Sequence, residues 1–352
     1  MCVKITHMGT VKDFAELGAR VRQVRMGVGL DQSELAGACG LERSALSRIE
    51  SGYRKVSALE LSRIAEALKV SLVDLVAVPE PDVVAARKPV GEGATPKERK
   101  EFRAELELDR AWRDLCQLRE AGLISPAQLS FGGQGVSSRE QAQQTAREVR
   151  SFLAAGDEPL EGMADVAAEV GLWIRTTKAD IDGVSMTPEP GLGVALVYEG
   201  LDPGRRRATV AHEIGHHVFG DTYEAAGHYN RPAEGERLVD DFAAELLLPQ
   251  AAVRKLQEVS RDALVDLAAS YRVSWSLVIK TARILGLDLS QVEAGMNPAD
   301  ADFLRVTGAL PGEDVCPPGL ARPWIKACAT ALEQNLITPA RASEMTAGVL
   351  RG

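Results

Sequence analysis

The sequence predicts a mainly α protein with a small β-sheet (α+β): an all-α five-helix domain, a mixed domain, and a helical C-terminal region. Three observations predict it. Apolar residues recur at helical spacing through most of the 352 residues. The period changes only near the middle, where LWIRTT, GVSMTP and VALVYEG are short runs with β-branched or aromatic content, bounded by Gly and Pro. A stretch rich in Pro, Gly and charge, VPEPDVVAARKPVGEGAT at 78–95, has no periodicity and separates the first helices from the rest.

With 45% hydrophobic and 26% charged residues the chain is globular, and a disordered, collagen-like or fibrous class is excluded. No run approaches the roughly 20 apolar residues that cross a bilayer. The start, MCVKITHMGTVKDF, lacks the apolar core of a signal peptide, so a cytoplasmic protein without a membrane partner is expected. The five cysteines, Cys2, Cys39, Cys116, Cys316 and Cys328, are scattered without a CxxC pair and are expected as free thiols. Net charge is -9, yet residues 1–77 carry 11 Lys and Arg against 9 Asp and Glu, while the remainder carries 30 against 41. Only the N-terminal part tolerates a phosphate backbone.

Element by element, Leu17, Val21, Leu30, Leu35, Leu46, Ile49, Leu61, Ile64, Leu68, Leu72 and Leu75 mark five short helices in 14–77. Thr95, Pro96 and Glu98 supply an N-cap, a first-turn proline and the acid of a capping box for a helix to about Gly122. After FGGQGV at 131–136, Ser137 and Glu140 read as another capping box, opening a helix to about Ala155, and a further helix runs from near Pro159 to Gly171. The three strands follow. Helical pattern then returns in RRRATVAHEIGHHVFGD, ERLVDDFAAELLLP, DALVDLAASYRVSWSLVIKTARILG and a final pair around 320–350. WRDLCQLREAGLISPA and WIKACATALEQNLITPA look alike, but their alignment needs a gap, and they read as two convergent amphipathic helix endings.

In LDQSELAGACGLERSALSRIESGYRK, residues 30–55, two helices flank a turn at Cys39 and Gly40, and Asp31 with Glu34 caps the first. The second leaves Arg43, Ser44, Ser47 and Arg48 on its outer face, a size and chemistry suited to a major groove. With Gln32, Glu34-Leu35-Ala36, Ser47-Arg48-Ile49-Glu50, Gly52 and IAEALKVSLVDL, the segment resembles the Cro/repressor-type helix-turn-helix family (XRE). The resemblance implies that Arg43, Ser44 and Arg48 touch bases of double-stranded operator DNA and that Gln32, Arg54 and Lys55 hold phosphates. It also implies an internal Arg25–Glu50 ion pair. Glu42 departs from the Ser or Thr usual at that cap.

HEIGH at 212–216 puts His212 and His216 four residues apart on one helix face, within reach of one zinc ion, with Glu213 beside them as a general base toward water. A third ligand is sought on the next helix, where Glu236 and Asp240 share a face. ATVAHEIGHHVFGD followed by ERLVDDFAAELLLP resembles the ImmA/IrrE family of zinc metallopeptidases, over about 137–288. The resemblance places Glu236 on the third zinc ligand and gives Asp240 the task of orienting a ligand. It also implies an edge strand that pairs with extended substrate, for which VALVYEG at 194–200 is the candidate. His217 points about 100° from the ligand pair and reads as packing or support. His228 reads as an exposed loop histidine, with transition-state donor or fourth ligand as alternatives. Cys316 reads as an inert thiol, with zinc blockade as the alternative.

The expected organisation is a helix-turn-helix domain at 1–78, a linker at 79–96, and a connecting helix with a Gly-rich loop at 97–136. A zincin-like metallopeptidase domain at 137–290 and a helical C-terminal region at 291–352 complete it. The function it implies is a DNA-binding transcriptional regulator with a zinc-dependent endopeptidase, cleaving a repressor or other regulatory protein on a stress, phage or mobile-element signal, with a homodimer open. Two other readings stand beside it: a non-proteolytic transcription factor or antitoxin using the peptidase fold as sensor or scaffold, and a zinc-stabilised DNA-binding protein.

Overall fold

The computed structural model describes residues 10–77, 95–133, 135–220, 233–292 and 295–351, and these divide after Ala111 into two compact units. Among the described residues there are sixteen helices and one three-stranded sheet, and no helix is long and apolar enough to cross a membrane.

The first unit opens with α1 (Phe14–Val28), α2 (Gln32–Cys39), α3 (Arg43–Glu50), α4 (Ala58–Leu68) and α5 (Leu72–Val76). Each start is written locally. Asp13 accepts the amides of Ala15 and Glu16, and reciprocal capping boxes join Asp31 to Glu34, Ser57 to Glu60 and Ser71 to Asp74. Only α3 has no side-chain cap, because Glu42 sits at its N-cap without bonding the backbone. Val21, Val24, Leu35, Leu46, Ile64, Leu68 and Leu75 form the core. Gly18 lets α1 cross α3 closely, since a Cβ there would stand 2.2 Å from the carbonyl of Ile49.

The helix that the sequence places after the linker, α6 (Pro96–Glu120), starts with the expected Thr95–Glu98 box; residues 79–94 of that linker lie outside the described residues. Through Ala111 this helix belongs to the first unit, where Phe102 and Leu106 enter the core. Gly27 makes room for the Phe102 ring, which a Cβ at 27 would strike at 2.0 Å. Arg110 adds an ion pair to the buried Asp74 at 2.5 Å. The five predicted helices are therefore closed by the beginning of a sixth.

The second unit holds α7 (Arg139–Phe152), α8 (Met163–Glu169), β1 (Leu172–Thr177), β2 (Gly183–Glu189), β3 (Leu192–Tyr198), α9 (Pro203–Phe219) and α10 (Ala233–Leu247). After them come α11 (Gln250–Arg254), α12 (Arg261–Tyr271), α13 (Trp275–Ile284), α14 (Asp300–Thr307), α15 (Arg322–Glu333) and α16 (Pro339–Met345). Two local expectations are corrected. Ser138, not Ser137, caps α7, and Ser137 bonds the side chain of Gln141 instead. The helix expected from Pro159 begins only at Met163, because Gly162 at its N-cap takes a left-handed conformation (φ 65°).

The strand order is β1-β3-β2, with β1 parallel and β2 antiparallel to β3. The substrate-pairing edge expected in VALVYEG is thereby overturned: β3 is the central strand, and β2 lies at an edge of this sheet. The reason is burial. Leu192 through Val197 are all buried, as suits a strand covered on both faces and paired on both sides. α9 packs against the sheet and alongside α10, which also packs on α7. Val197, Val210, Ile214, Val239, Phe242 and Leu246 are among the side chains of the core that backs the site.

Candidate functional site

α9 opens with Pro203 at its first turn, ends at the left-handed Gly220, and carries HEIGH in its last two turns. Its apolar face, Val210, Ala211, Ile214 and Val218, is buried against sheet and α10, which fixes the rotation of the helix and turns His212 and His216 toward α10. Gly215 allows that approach, since a Cβ there would stand 2.9 Å from Val239 and 3.0 Å from Phe242.

Glu236 meets the two histidines from α10. His212 Nε2 lies 3.2 Å from Glu236 Oε2, His216 Nε2 lies 3.8 Å from the same oxygen, and the two Nε2 atoms are 3.0 Å apart. Tetrahedral donors at the usual zinc bond lengths stand about 3.3 Å from one another, so these three separations bracket the value a zinc ion needs. The donor set, two imidazoles and one carboxylate, is also one that zinc accepts. Burial of His212 resists its protonation, but hydrogen bonds to Asp240 and Glu236 outweigh this and carry its pKa up to about 10. Asp240 Oδ1 is 3.0 Å from His212 Nδ1, on the ring nitrogen facing away from the cluster, which leaves Nε2 as the donor atom turned inward.

Glu213 is buried, and its Oε2 has no hydrogen-bond partner among the described residues. A buried carboxylate oxygen left in this way is costly unless a ligand or water meets it. β2 begins directly over this group: a Cβ on Gly183 would stand 2.7 Å from Glu213 Oε1 and 2.5 Å from Thr209 Cγ2, so a larger residue there would have to displace those side chains.

His217 turns away from the cluster. Its Nε2 is 2.9 Å from the Val170 carbonyl and its Nδ1 is 2.8 Å from Thr187 Oγ1, and burial pushes its pKa down to about 4. The Thr187 partner, thirty residues away and on a strand, is the contact that sequence reasoning missed; nothing in the spacing signals it. Cys316 stands outside the cluster, with its thiol 3.5 Å from Glu313 Oε2. His228 lies outside the described residues.

In the first unit, Arg43, Ser44 and Arg48 are exposed on α3, and Lys55 is exposed just after it. Among the described residues Ser44 bonds Glu42 at 3.3 Å. Two of the expected phosphate contacts are engaged within the unit: Gln32 donates to Glu50 Oε2 at 2.8 Å, and Arg54 donates to Glu60 Oε1 at 2.7 Å. Arg25 makes a two-pronged pair with Glu50 at 2.6 and 3.0 Å, with both side chains buried.

Comparison with known proteins gives two family matches, a helix-turn-helix model over residues 21–75 and an IrrE N-terminal-like domain over residues 167–283. None of the curated proteins compared with the chain matches it. Solved structures also match the chain. The restriction-modification controller protein C.AhdI from Aeromonas hydrophila is 35% identical over 18% of this chain and 94% of its own, with a TM-score of 0.17. PlcR from Bacillus thuringiensis, solved with the peptide PapR7 and DNA, is 12% identical over 96% of this chain and 81% of its own, with a TM-score of 0.19. Those TM-scores leave neither as a guide to this fold.

Proposed function

This chain joins a Cro/repressor-type helix-turn-helix segment to an IrrE N-terminal-like segment, and from that union we propose a DNA-binding regulator that carries a zinc-dependent endopeptidase. The observation that carries the peptidase reading is Glu213: a buried carboxylate with an oxygen that has no partner among the described residues, next in sequence to His212 of a zinc-sized set of His212, His216 and Glu236. A scaffold has no use for that costly group.

His212, His216 and Glu236 would hold the metal, and Asp240 would keep the His212 ring in the tautomer that presents Nε2. Zinc in such a site supplies Lewis acidity, lowering the pKa of water and polarising a carbonyl. Glu213 takes the proton of the attacking water on Oε2 and returns it to the departing amine. An extended substrate would lie along β2, whose first residue, Gly183, passes over Glu213. On the DNA side, Arg43, Ser44 and Arg48 would read base edges and Lys55 would hold a phosphate, with Gln32 and Arg54 bracing the turns they start or end. The substrate class that the family resemblance favours is a helix-turn-helix repressor.

Zinc content and cleavage, measured on the same purified variants, test this reading, with a repressor encoded beside this gene as the protein probe. One zinc per chain is expected in the wild type and in Glu213→Gln, and none in His212→Ala, His216→Ala or Glu236→Ala. Cleavage is expected in the wild type alone. Full zinc occupancy in Glu236→Ala would remove that residue from the ligand set. Wild-type cleavage by Glu213→Gln would remove the base, and a zinc-loaded wild type inert toward every repressor offered would favour the scaffold.

A further inference from the structure

Two of the contacts between β2 and α9 differ in kind. At Gly183 the strand rests on Thr209 and Glu213 by close packing alone. At Thr187 it is held by a directional bond. The Val170 carbonyl can only accept, so His217 Nε2 must carry a hydrogen, and the neutral ring then has a bare Nδ1 that accepts the Thr187 hydroxyl at 2.8 Å. One ring thereby joins three elements: α9, the residue following α8, and the edge strand.

The surroundings are shaped for that bond. The register of β2 against β3 is regular from Gly183 to Met186 and then slips, resuming at Glu189 opposite Leu192, so Thr187 falls in an irregularity that frees it from the ladder. Across from it, β3 has Gly193, where a Cβ would stand 2.8 Å from Thr187 Oγ1, 3.0 Å from His217 Nδ1 and 2.7 Å from the Met186 carbonyl. A small residue on the central strand, a slipped register on the edge strand and a buried histidine on the HEIGH helix thus converge on one hydrogen bond.

We propose that His217 and Thr187 form a pin that fixes the register of the edge strand over Glu213, making both of them positioning residues for an extended substrate. The proposal rests on the peptidase reading for its purpose, and on the geometry alone for its existence. A strand whose outer face pairs with substrate gains from being held at both ends, because a slip of one residue would turn every side chain to the other face. The pin supplies the second fixed point without using a side chain of the metal cluster.

Hydrogen exchange of the zinc-loaded full chain, read by mass spectrometry on peptides covering 183–189, tests it together with zinc content. Thr187→Val keeps the shape and deletes only the hydroxyl; protection of 183–189 should fall about tenfold, the equilibrium equivalent of one buried hydrogen bond. Zinc should stay at one per chain and protection of 203–219 should stay unchanged. Thr187→Ser should restore the protection, and His217→Asn should reproduce the loss. Unchanged exchange of 183–189 in Thr187→Val overturns the pin, as does an equal loss of protection throughout the second unit or a failure of serine to rescue. The same comparison is read on metal-free protein if the wild type binds no zinc, so a failure of the metal reading and a failure of the pin give different results.

Discussion

A carboxylate on the far nitrogen of a liganding histidine fixes the ring's tautomer and its direction at once. Asp240 stands 3.0 Å from His212 Nδ1, so under the proposed function Asp240→Asn should weaken zinc binding by about 10- to 100-fold, measured by competition with a chromogenic chelator. An unchanged affinity would make Asp240 a bystander. The residue scale also decides the thiols. Cys316 is exposed, whereas Cys39 and Cys328 are buried, and burial lifts the Cys328 thiol to about 11. Partial burial and the neighbouring Glu313 also raise the Cys316 thiol, so its thiolate forms only above the usual range. Alkylation of the native protein should therefore label Cys316 ahead of Cys39 and Cys328, faster as pH rises, and mass mapping of the labelled cysteines checks the order. His212, His216, Glu236 and Asp240 were legible in the sequence because each pair falls at a helical repeat. The Thr187 partner of His217 was not, because it lies across a strand crossing that no spacing records.

At the scale of elements, the five short helices of the first unit followed from their own spacing and first turns, as Asp31 with Glu34 illustrates. Their completion did not. Phe102 on α6 is 2% exposed in the core of that unit, and Phe102→Ala should cost about 3–5 kcal/mol of its stability, read by denaturant titration of the segment ending at Ala111. A loss below 1 kcal/mol would show that α6 only rests on the surface. α3 exposes Arg43 and Arg48, and under the proposed function its prediction is one of discrimination: Arg43→Ala should lower affinity for the specific site by about 1–3 kcal/mol while Lys55→Ala weakens all duplexes alike. Binding titrations on operator and random DNA at two salt concentrations separate the two, and equal losses on both duplexes would make Arg43 a backbone contact. The sheet shows the limit of element-level reading. All three strands were visible as strands, but the side-chain period of two says which face is buried and not which strand sits in the middle.

Over the whole molecule, residues beyond the IrrE N-terminal-like match complete the second unit. The Asp314 side chain is 4% exposed, accepts the amides of Gly162 and Met163 at the start of α8, and pairs with Arg207 on α9, whose own burial holds its pKa down to about 10. Val315 enters the same core, and the Pro318 carbonyl accepts the amide of Thr176 on β1. Removing Asp314 leaves a buried guanidinium without its partner, so Asp314→Ala should destabilise the unit by about 3–5 kcal/mol in a denaturant titration of the full chain. A change within error would show that water or Arg207's other partner, the Leu160 carbonyl, compensates. The sequence by itself determined the order of helices and strands, the caps at Asp31 and Thr95, the exposed arginines of α3 and the facing pairs His212 with His216 and Glu236 with Asp240, because all of these are carried by local spacing along one helix. Only the tertiary structure decided that β3 is central, that α6 closes the first unit, that His217 reaches Thr187 and that Asp314 reaches Arg207. Those four depend on which distant segments come together, and a pattern of polar and apolar residues specifies that a face is buried without naming what buries it.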